Sequence, residues 1–416
     1  MVKNLGGVFT GQGVVQKQGR RPTLADLGFV AGPVDLAVAP DGKIETVGRL
    51  AASSNDRVFD GTGLVATAGF KDSHTHALYM GSRSPEFFMR WSGKSYREIS
   101  DAGGGIHNSV AALATASDTD ILRAISAKLG AMAQWGSTRV EVKSGYGRDA
   151  SSELRFLRLL KQARSQKHQP HISATFLGLH ALPKDRSESD FVDEMIGALP
   201  IIRKEQLAEF VDAFPEQGFF SLEESLRFGR AAHDCGLRLK VHADEITDMG
   251  AASAFARLGA QSVDHLQKIH PSAVALLAHQ NTVATFLPAT SFFLGIEYAP
   301  ARAVIDAGAR FALASDYNPG TAPAPGFGLT MFLAASQLRL TAPEIVSGVT
   351  YGGAAALGVE QQEGALLPGF FGDFLLWNQT SLRPEPFLQD LIVAQMPPKF
   401  VFIRGQALPF SGLLTT

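Results

Sequence analysis

The chain has 416 residues, 45% of them hydrophobic and 19% charged, which allows a large core and more than one domain. Its 38 Lys plus Arg against 40 Asp plus Glu leave a net charge of −2, so nothing in the balance points to nucleic acid. Cys235 is the only cysteine, the start Met1-Val-Lys-Asn has no signal-peptide core, and no apolar run reaches the ~18 residues of a membrane helix. The expectation is a cytoplasmic protein with no disulfide and no membrane partner.

Residues 1–65 carry short apolar segments broken by turns. Pro33-Val-Asp-Leu-Ala-Val alternates, Asp41-Gly42 marks a hairpin turn, and Lys43-Ile-Glu-Thr-Val resumes. Residues 360–416 read similarly, with Phe374-Leu-Leu-Trp and Phe400-Val-Phe-Ile as strands. Neither end is long enough for a comfortable core, so the two are expected to pack together as one small β-sandwich domain.

Between them, over residues 66–359, eight apolar runs alternate with amphipathic helical stretches. The runs are Leu64–Phe70, Thr138–Lys143, Ile172–Leu179, Phe210–Phe214, Leu237–His242, Ser262–Leu266, Val283–Pro288 and Arg310–Ser315. Helical stretches such as Asp118–Gln134, Ser151–Gln166 and Leu222–Cys235 lie between most of them. This order predicts an α/β fold with a parallel sheet. Eight units over roughly 250 residues fit a (β/α)8 barrel of the TIM type. An open doubly wound sheet lacks its glycine-rich phosphate fingerprint after the first strand.

In such a barrel the site forms at the C-terminal strand ends. There the chain places His74 and His76, Glu141 and Lys143, His180, His242 with Glu245, Asp264 with His265, and Asp316 with Asn318. His74 and His76, two apart in an extended segment, face the same side. With His242 and Asp316 they make a shell of nitrogen and oxygen donors that suits zinc or iron. Lys143 reads as an ion pair with a neighbouring acid rather than as a bridge between two metals, so a single metal is expected. Glu245, three residues after His242, is placed to sit over it. Arg83 lies beside the expected mouth. Tyr96 and Tyr146 are either core residues or ligand-facing hydroxyls. Asp72 and Asp264 read as supports for the ligands.

These residues resemble the amidohydrolase superfamily and, within it, the imidazolonepropionase family of histidine degradation. The resemblance rests on Asp72-Ser-His-Thr-His76, Gly81-Ser-Arg83, Ser95-Tyr96, Gly103-Gly-Gly-Ile106, Glu141-Val-Lys-Ser-Gly-Tyr-Gly147, Thr175-Phe-Leu-Gly178 with His180, His242-Ala-Asp-Glu245 and Asp316-Tyr-Asn-Pro-Gly320. It covers nearly the whole chain, and Glu-Val-Lys-Ser-Gly-Tyr-Gly is its most specific part. The chain departs at Ser73, where that family usually has proline, and at Phe214-Pro-Glu216, where it usually has a cysteine followed by acids.

The resemblance implies hydrolysis of the cyclic amide of 4-imidazolone-5-propanoate to N-formimidoyl-L-glutamate, with one Zn2+ or Fe3+ per subunit. His74, His76, His242 and Asp316 would bind the metal. Asp316 and His265 would handle the water's proton, and Glu245 and His180 would face the ring. Arg83 would pair with the propionate, assisted by Tyr96 and Tyr146, while Asn318, Gly320 and Thr321 would line the pocket. A homodimer is expected. Another cyclic amidohydrolase or a deaminase would share the ligands and differ in the arginine and tyrosines.

Overall fold

The computed structural model describes residues 1–51, 57–94, 98 and 104–409. Eight parallel strands run in chain order: β1 (Phe70–Asp72), β2 (Ser137–Lys143), β3 (His171–Leu179), β4 (Phe210–Ala213), β5 (Arg238–Ala243), β6 (Ser262–His265), β7 (Val283–Phe286) and β8 (Arg310–Leu313). Each pairs with the next in sequence. The ring closes just past the strand ends. The Asp316 N–H donates to the His74 carbonyl at 3.0 Å, and the His76 N–H donates to the Tyr317 carbonyl at 2.9 Å. Asp72 reinforces this seam by accepting from both the N–H and the hydroxyl of Ser315.

Period-two alternation sorts the strand residues. In β2, Val140 and Val142 join the large apolar core that the helices cover. Glu141 and Lys143 alternate with them and are fully buried among polar partners from other strands. The covering helices start where serines cap them. Ser117 accepts from the Asp120 N–H, Ser187 from Asp190 and Ser221 from Glu224, at the heads of helices Asp118–Gln134, Glu188–Glu205 and Leu222–Asp234. Among the described residues no helix is long and apolar enough to cross a membrane.

The terminal segments join in one mixed eight-stranded sheet. Its spine is Leu64–Ala68, which runs antiparallel to Phe374–Asn378 and parallel to Val2–Phe9. The hairpin at Asp41-Gly42 joins Phe29–Val38 to Ile44–Gly48, with Gly42 at φ 84. Leu5, Leu36, Ala66, Phe374 and Phe402 fill a separate apolar core on this sheet.

The run Leu64–Phe70, expected as one barrel strand, is two. Leu64–Ala68 belongs to the terminal sheet, and the chain enters the barrel only at Phe70. Gly69 is the pivot. A Cβ there would come within 2.4 Å of the Thr138 side chain, so the crossing from one sheet to the other requires glycine.

The two layers are clamped by charge. Lys71 on β1, fully buried, lies 2.8 Å from Asp373 and 3.0 Å from Glu363. Arg139 on β2 grips the same Glu363 through two N–H groups. Burial pushes the Glu363 carboxyl up, but Lys71 and Arg139 outweigh it and hold the group well below the usual carboxylate range. Lys71→Met leaves two buried carboxylates short of a partner and should destabilise the fold by about 3–5 kcal/mol. Urea unfolding checks this: the midpoint should fall while the slope stays that of wild type.

Candidate active site

Past β1, the segment Ser73-His74-Thr75-His76 is fixed by the seam with Tyr317 and by Thr75, whose hydroxyl donates to the Glu141 carbonyl. His74 Nδ1 meets Asp264 Oδ2 at 2.7 Å. A carboxylate at that distance accepts a hydrogen bond from Nδ1–H, so Nε2 presents its lone pair. His242, at the end of β5, is held likewise, with Nδ1 3.1 Å from Asp212 Oδ2 on β4.

Four ligand atoms then converge. His74 Nε2 lies 3.6 Å from Asp316 Oδ1, and His76 Nε2 lies 3.5 Å from the same oxygen. His242 Nε2 and His76 Nε2 face each other at 3.3 Å. His74 Nε2 and Asp316 Oδ1 are buried without any hydrogen-bond partner. Orphaned buried donors and acceptors are costly, and converging ones of this chemistry fit a metal ion. Burial holds the imidazoles of His74 and His76 well below their usual pKa, which keeps them neutral as ligands must be. His265 stands close enough that His74, His242 and His265 also bring ligand atoms within 4.8 Å of one another.

The support beneath these ligands is ionic. Lys143 lies 2.7 Å from Asp212 and 2.9 Å from Glu141, the ion pair expected of it. Lys240 donates to the Ser73 carbonyl and the Ser262 hydroxyl, and sits 3.4 Å from Asp264. Backbone twist completes the site. Strict alternation along β6 would turn Asp264 and His265 apart. His265 has φ 80 and Leu266 φ 69, and the His265 ring comes to 5.1 Å from His242, centroid to centroid. Asp316 and Asp244 also hold positive φ.

Over the ligands lies a cavity of about 390 Å3. His76, His242, His265 and Asp316 form its floor, and Arg83, Tyr146, His180, Glu245, Asn318 and Thr321 form its walls with Ile106, Phe214, Phe219, Ile246 and Leu294. His180 Nδ1 lies 3.1 Å from the Gly145 carbonyl, and burial pulls its pKa down to about 3. The ring is therefore neutral, its Nδ1–H donates to that carbonyl, and its Nε2 can only accept. Burial, then the charge of Asp316, pushes Glu245 up to about 8. Its Oε1 is 3.6 Å from His265 Nδ1, too far for a hydrogen bond.

Of the other expected pocket residues, Asn318 is on the wall with its amide tied into a turn, and Gly320 is not on the wall. The Asn318 amide is spent on its own turn, accepting from the N–H groups of Gly320 and Thr321 and donating to the Asp316 carbonyl. Gly320 lies behind Arg83 rather than on the cavity wall, where a Cβ would come within 2.4 Å of the guanidinium. Tyr96, with Ser95 and Gly103, is outside the described residues.

Several contributors escaped the sequence reading. Asp212 stood in Phe210-Val-Asp-Ala-Phe, an acid in an otherwise apolar strand, which was its signal. Glu216 accepts from the N–H groups of Ile246 and Thr247 and so ties down the loop that carries Glu245. Glu153 accepts from the Gly145 and Gly147 N–H groups and shapes the loop that carries Tyr146. Glu86 pairs with Arg83. Asp212→Asn frees the His242 ring to rotate and leaves Lys143 short of a charge. Metal affinity should fall by roughly 10- to 100-fold, which chelator competition measures, with bound metal counted by mass spectrometry.

Comparison with known proteins covers most of the chain. The family described as "Amidohydrolase family" matches residues 65–408. An imidazolonepropionase of Caldanaerobacter subterraneus subsp. tengcongensis is 40% identical over 346 residues, spanning 82% of this chain and 83% of that one. One from Porphyromonas gingivalis is 37% identical over 92% of each chain, and one from Bdellovibrio bacteriovorus is 35% identical over 98% and 96%. Among solved structures, a triazine hydrolase variant superposes with TM-score 0.76 at 18% identity, covering 100% of this chain and 96% of that one. An adenosine deaminase from Xanthomonas campestris with bound zinc gives 0.69 at 16%, covering 98% and 92%. At such identities these two share the fold.

Proposed function

The chain belongs to the amidohydrolase family, with imidazolonepropionases as its relatives over most of its length, and we propose that it opens the ring of 4-imidazolone-5-propanoate by hydrolysis, giving N-formimidoyl-L-glutamate in histidine degradation. The observation that carries the substrate is the placement of Arg83 in the same cavity as the converging His and Asp ligands. A small cyclic amide bearing a carboxylate needs both.

His74, His76, His242 and Asp316 would hold one metal, zinc or iron, since both accept this donor set. When bound, the metal supplies a Lewis acid and lowers the pKa of a water molecule. The remaining work falls to the chain's own residues. Arg83 pairs with the propionate. Its Nε and Nη2 already bond Glu86, so its outer edge, carrying Nη1, is what it offers the substrate. Tyr146 reaches into the cavity beside it. His180 accepts a ring N–H through Nε2. The apolar wall of Phe214, Phe219 and Leu294 keeps bulk water off the ring.

Hydrolysis removes a proton from water and delivers one to the departing ring nitrogen. Asp316, raised to about 6 by burial, and His265 beside it take the first. Thr290 donates to Asp316 Oδ2 and fixes the orientation of the carboxylate. Glu245, whose burial favours the protonated carboxyl, delivers the second. A cytoplasmic setting and a homodimer go with this reading, and cell fractionation and sedimentation test them.

Two variants check the roles. Truncating one member of a buried charge pair costs roughly 2–5 kcal/mol, on the order of 30- to 3,000-fold in kcat/KM. Arg83→Gln should show a loss in that range, and Arg83→Lys should recover little because an ammonium lacks the planar fork. A kcat/KM within threefold of wild type would remove Arg83 from the site. Glu245→Gln keeps shape but cannot exchange a proton, so kcat should fall by ~10²–10⁴ while bound metal stays unchanged. Steady-state kinetics with elemental analysis decides both.

A further inference from the structure

Arg83 is half spent before any substrate arrives. It precedes helix Ser84–Trp91, and Glu86 in the first turn of that helix takes its Nε at 3.0 Å and its Nη2 at 2.8 Å. The pair is shielded, with the two side chains only 9% and 6% exposed. Glu86 Oε1 also accepts from the Gly105 N–H at 3.0 Å. Gly105 sits at φ 81 just before helix Ile106–Thr115, and Ile106 is a cavity wall. On its other side the guanidinium lies against the backbone of Gly320, which the Asn318 turn holds in place.

We propose that Glu86 is a positioning residue for carboxylate recognition: it pins Arg83 so that only the outer guanidinium edge faces the cavity, and so sets the preference for an anionic side chain. This rests on the reading of Arg83 as the propionate's partner. The physical reason is competition. The cavity holds two other carboxyl groups, Glu245 and Asp316. An arginine free to turn toward them would leave the substrate's carboxylate unpaired. Glu86 prevents this by satisfying the Nε–Nη2 edge in a fixed, planar, bidentate bond, which an ammonium at position 83 could not match. Because Glu86 also holds Gly105, the arginine and the wall at Ile106 keep one spacing.

The test compares 4-imidazolone-5-propanoate with its propanamide counterpart, in which a neutral amide replaces the carboxylate, on holoenzyme of wild type, Glu86→Gln, Glu86→Asp, Arg83→Gln and the Arg83→Gln/Glu86→Gln double variant. A misplaced contact group costs on the order of 100-fold. Glu86→Gln should lose about that in kcat/KM for the propanoate, mostly through KM, and change the propanamide by less than threefold. The double variant should be no worse than Arg83→Gln alone, because glutamine at position 86 keeps a carbonyl oxygen for the Gly105 N–H and loses only its charge pair with the arginine. Equal losses on both substrates, or losses that multiply in the double variant, overturn the inference and make Glu86 a packing residue. Should Glu86→Gln not fold, Glu86→Asp carries the same comparison, with the same two outcomes. Wild-type protein that does not turn over the propanoate overturns the functional reading itself, and Glu86's role with it; normal wild-type turnover with an unchanged Glu86→Gln overturns the Glu86 role alone.

Discussion

The centre of this protein is a buried ion network inside the barrel. Glu141, Lys143, Asp212, Lys240 and Asp264 come from four strands and are all at most 1% exposed. Two lysines meet three carboxylates, and two of those carboxylates also hold the rings of His74 and His242. A charge this deep is tolerable only when paired and hydrogen-bonded. Every member is therefore constrained by the others, and the histidines inherit that constraint. Asp212 shows the balance. Burial pushes its carboxyl up, but His242 and Lys143 outweigh that and hold it well below the usual range, so it stays an acceptor for the His242 Nδ1–H.

The same logic explains where the barrel closes. Most of its strand pairs are laddered along their length, but β1 and β8 meet only past their ends, at the residues that carry His74, His76 and Asp316. The seam and the ligand set are one feature. Asp72 makes the link physical, since its carboxylate holds Ser315 next to Asp316. Above the floor, loop conformation is fixed by single buried carboxylates: Glu216 for the loop with Glu245, Glu153 for the loop with Tyr146, and Glu86 for Arg83. Each accepts N–H groups or a guanidinium that would otherwise be left without partners.

Much of this was legible in the sequence, and what was not has a common cause. Strand–helix alternation placed seven of the eight barrel strands and touched the first only at Phe70, and helix Asp118–Gln134 has the bounds its pattern predicts. The residues His76, Arg83, Tyr146, His180, His242, Glu245, His265 and Asp316, all named from the sequence, line one cavity. Periodicity could not show that Leu64–Phe70 divides at Gly69, because a buried strand of the terminal sheet and one of the barrel are equally apolar. Nor could it show pairing across the fold. Lys143 and Asp212 are 69 positions apart, and His74 and Asp264 are 190 apart. Asp212 was visible as an acid in an apolar strand, yet its meaning depends on which strands become neighbours. The place of His265 at the end of the sixth run was legible, but the positive φ that turns it toward the cavity was not, because no alternation rule supplies it.

The central claim is that one metal site and one carboxylate-reading arginine share a cavity that opens a cyclic amide. The most direct measurement titrates metal-free protein with Zn2+ or Fe3+ while following conversion of 4-imidazolone-5-propanoate to N-formimidoyl-L-glutamate by mass spectrometry. The account predicts turnover that rises linearly and saturates at one metal per chain. Saturation at two metals, full turnover by the metal-free chain, or no conversion of this substrate at any loading would contradict it.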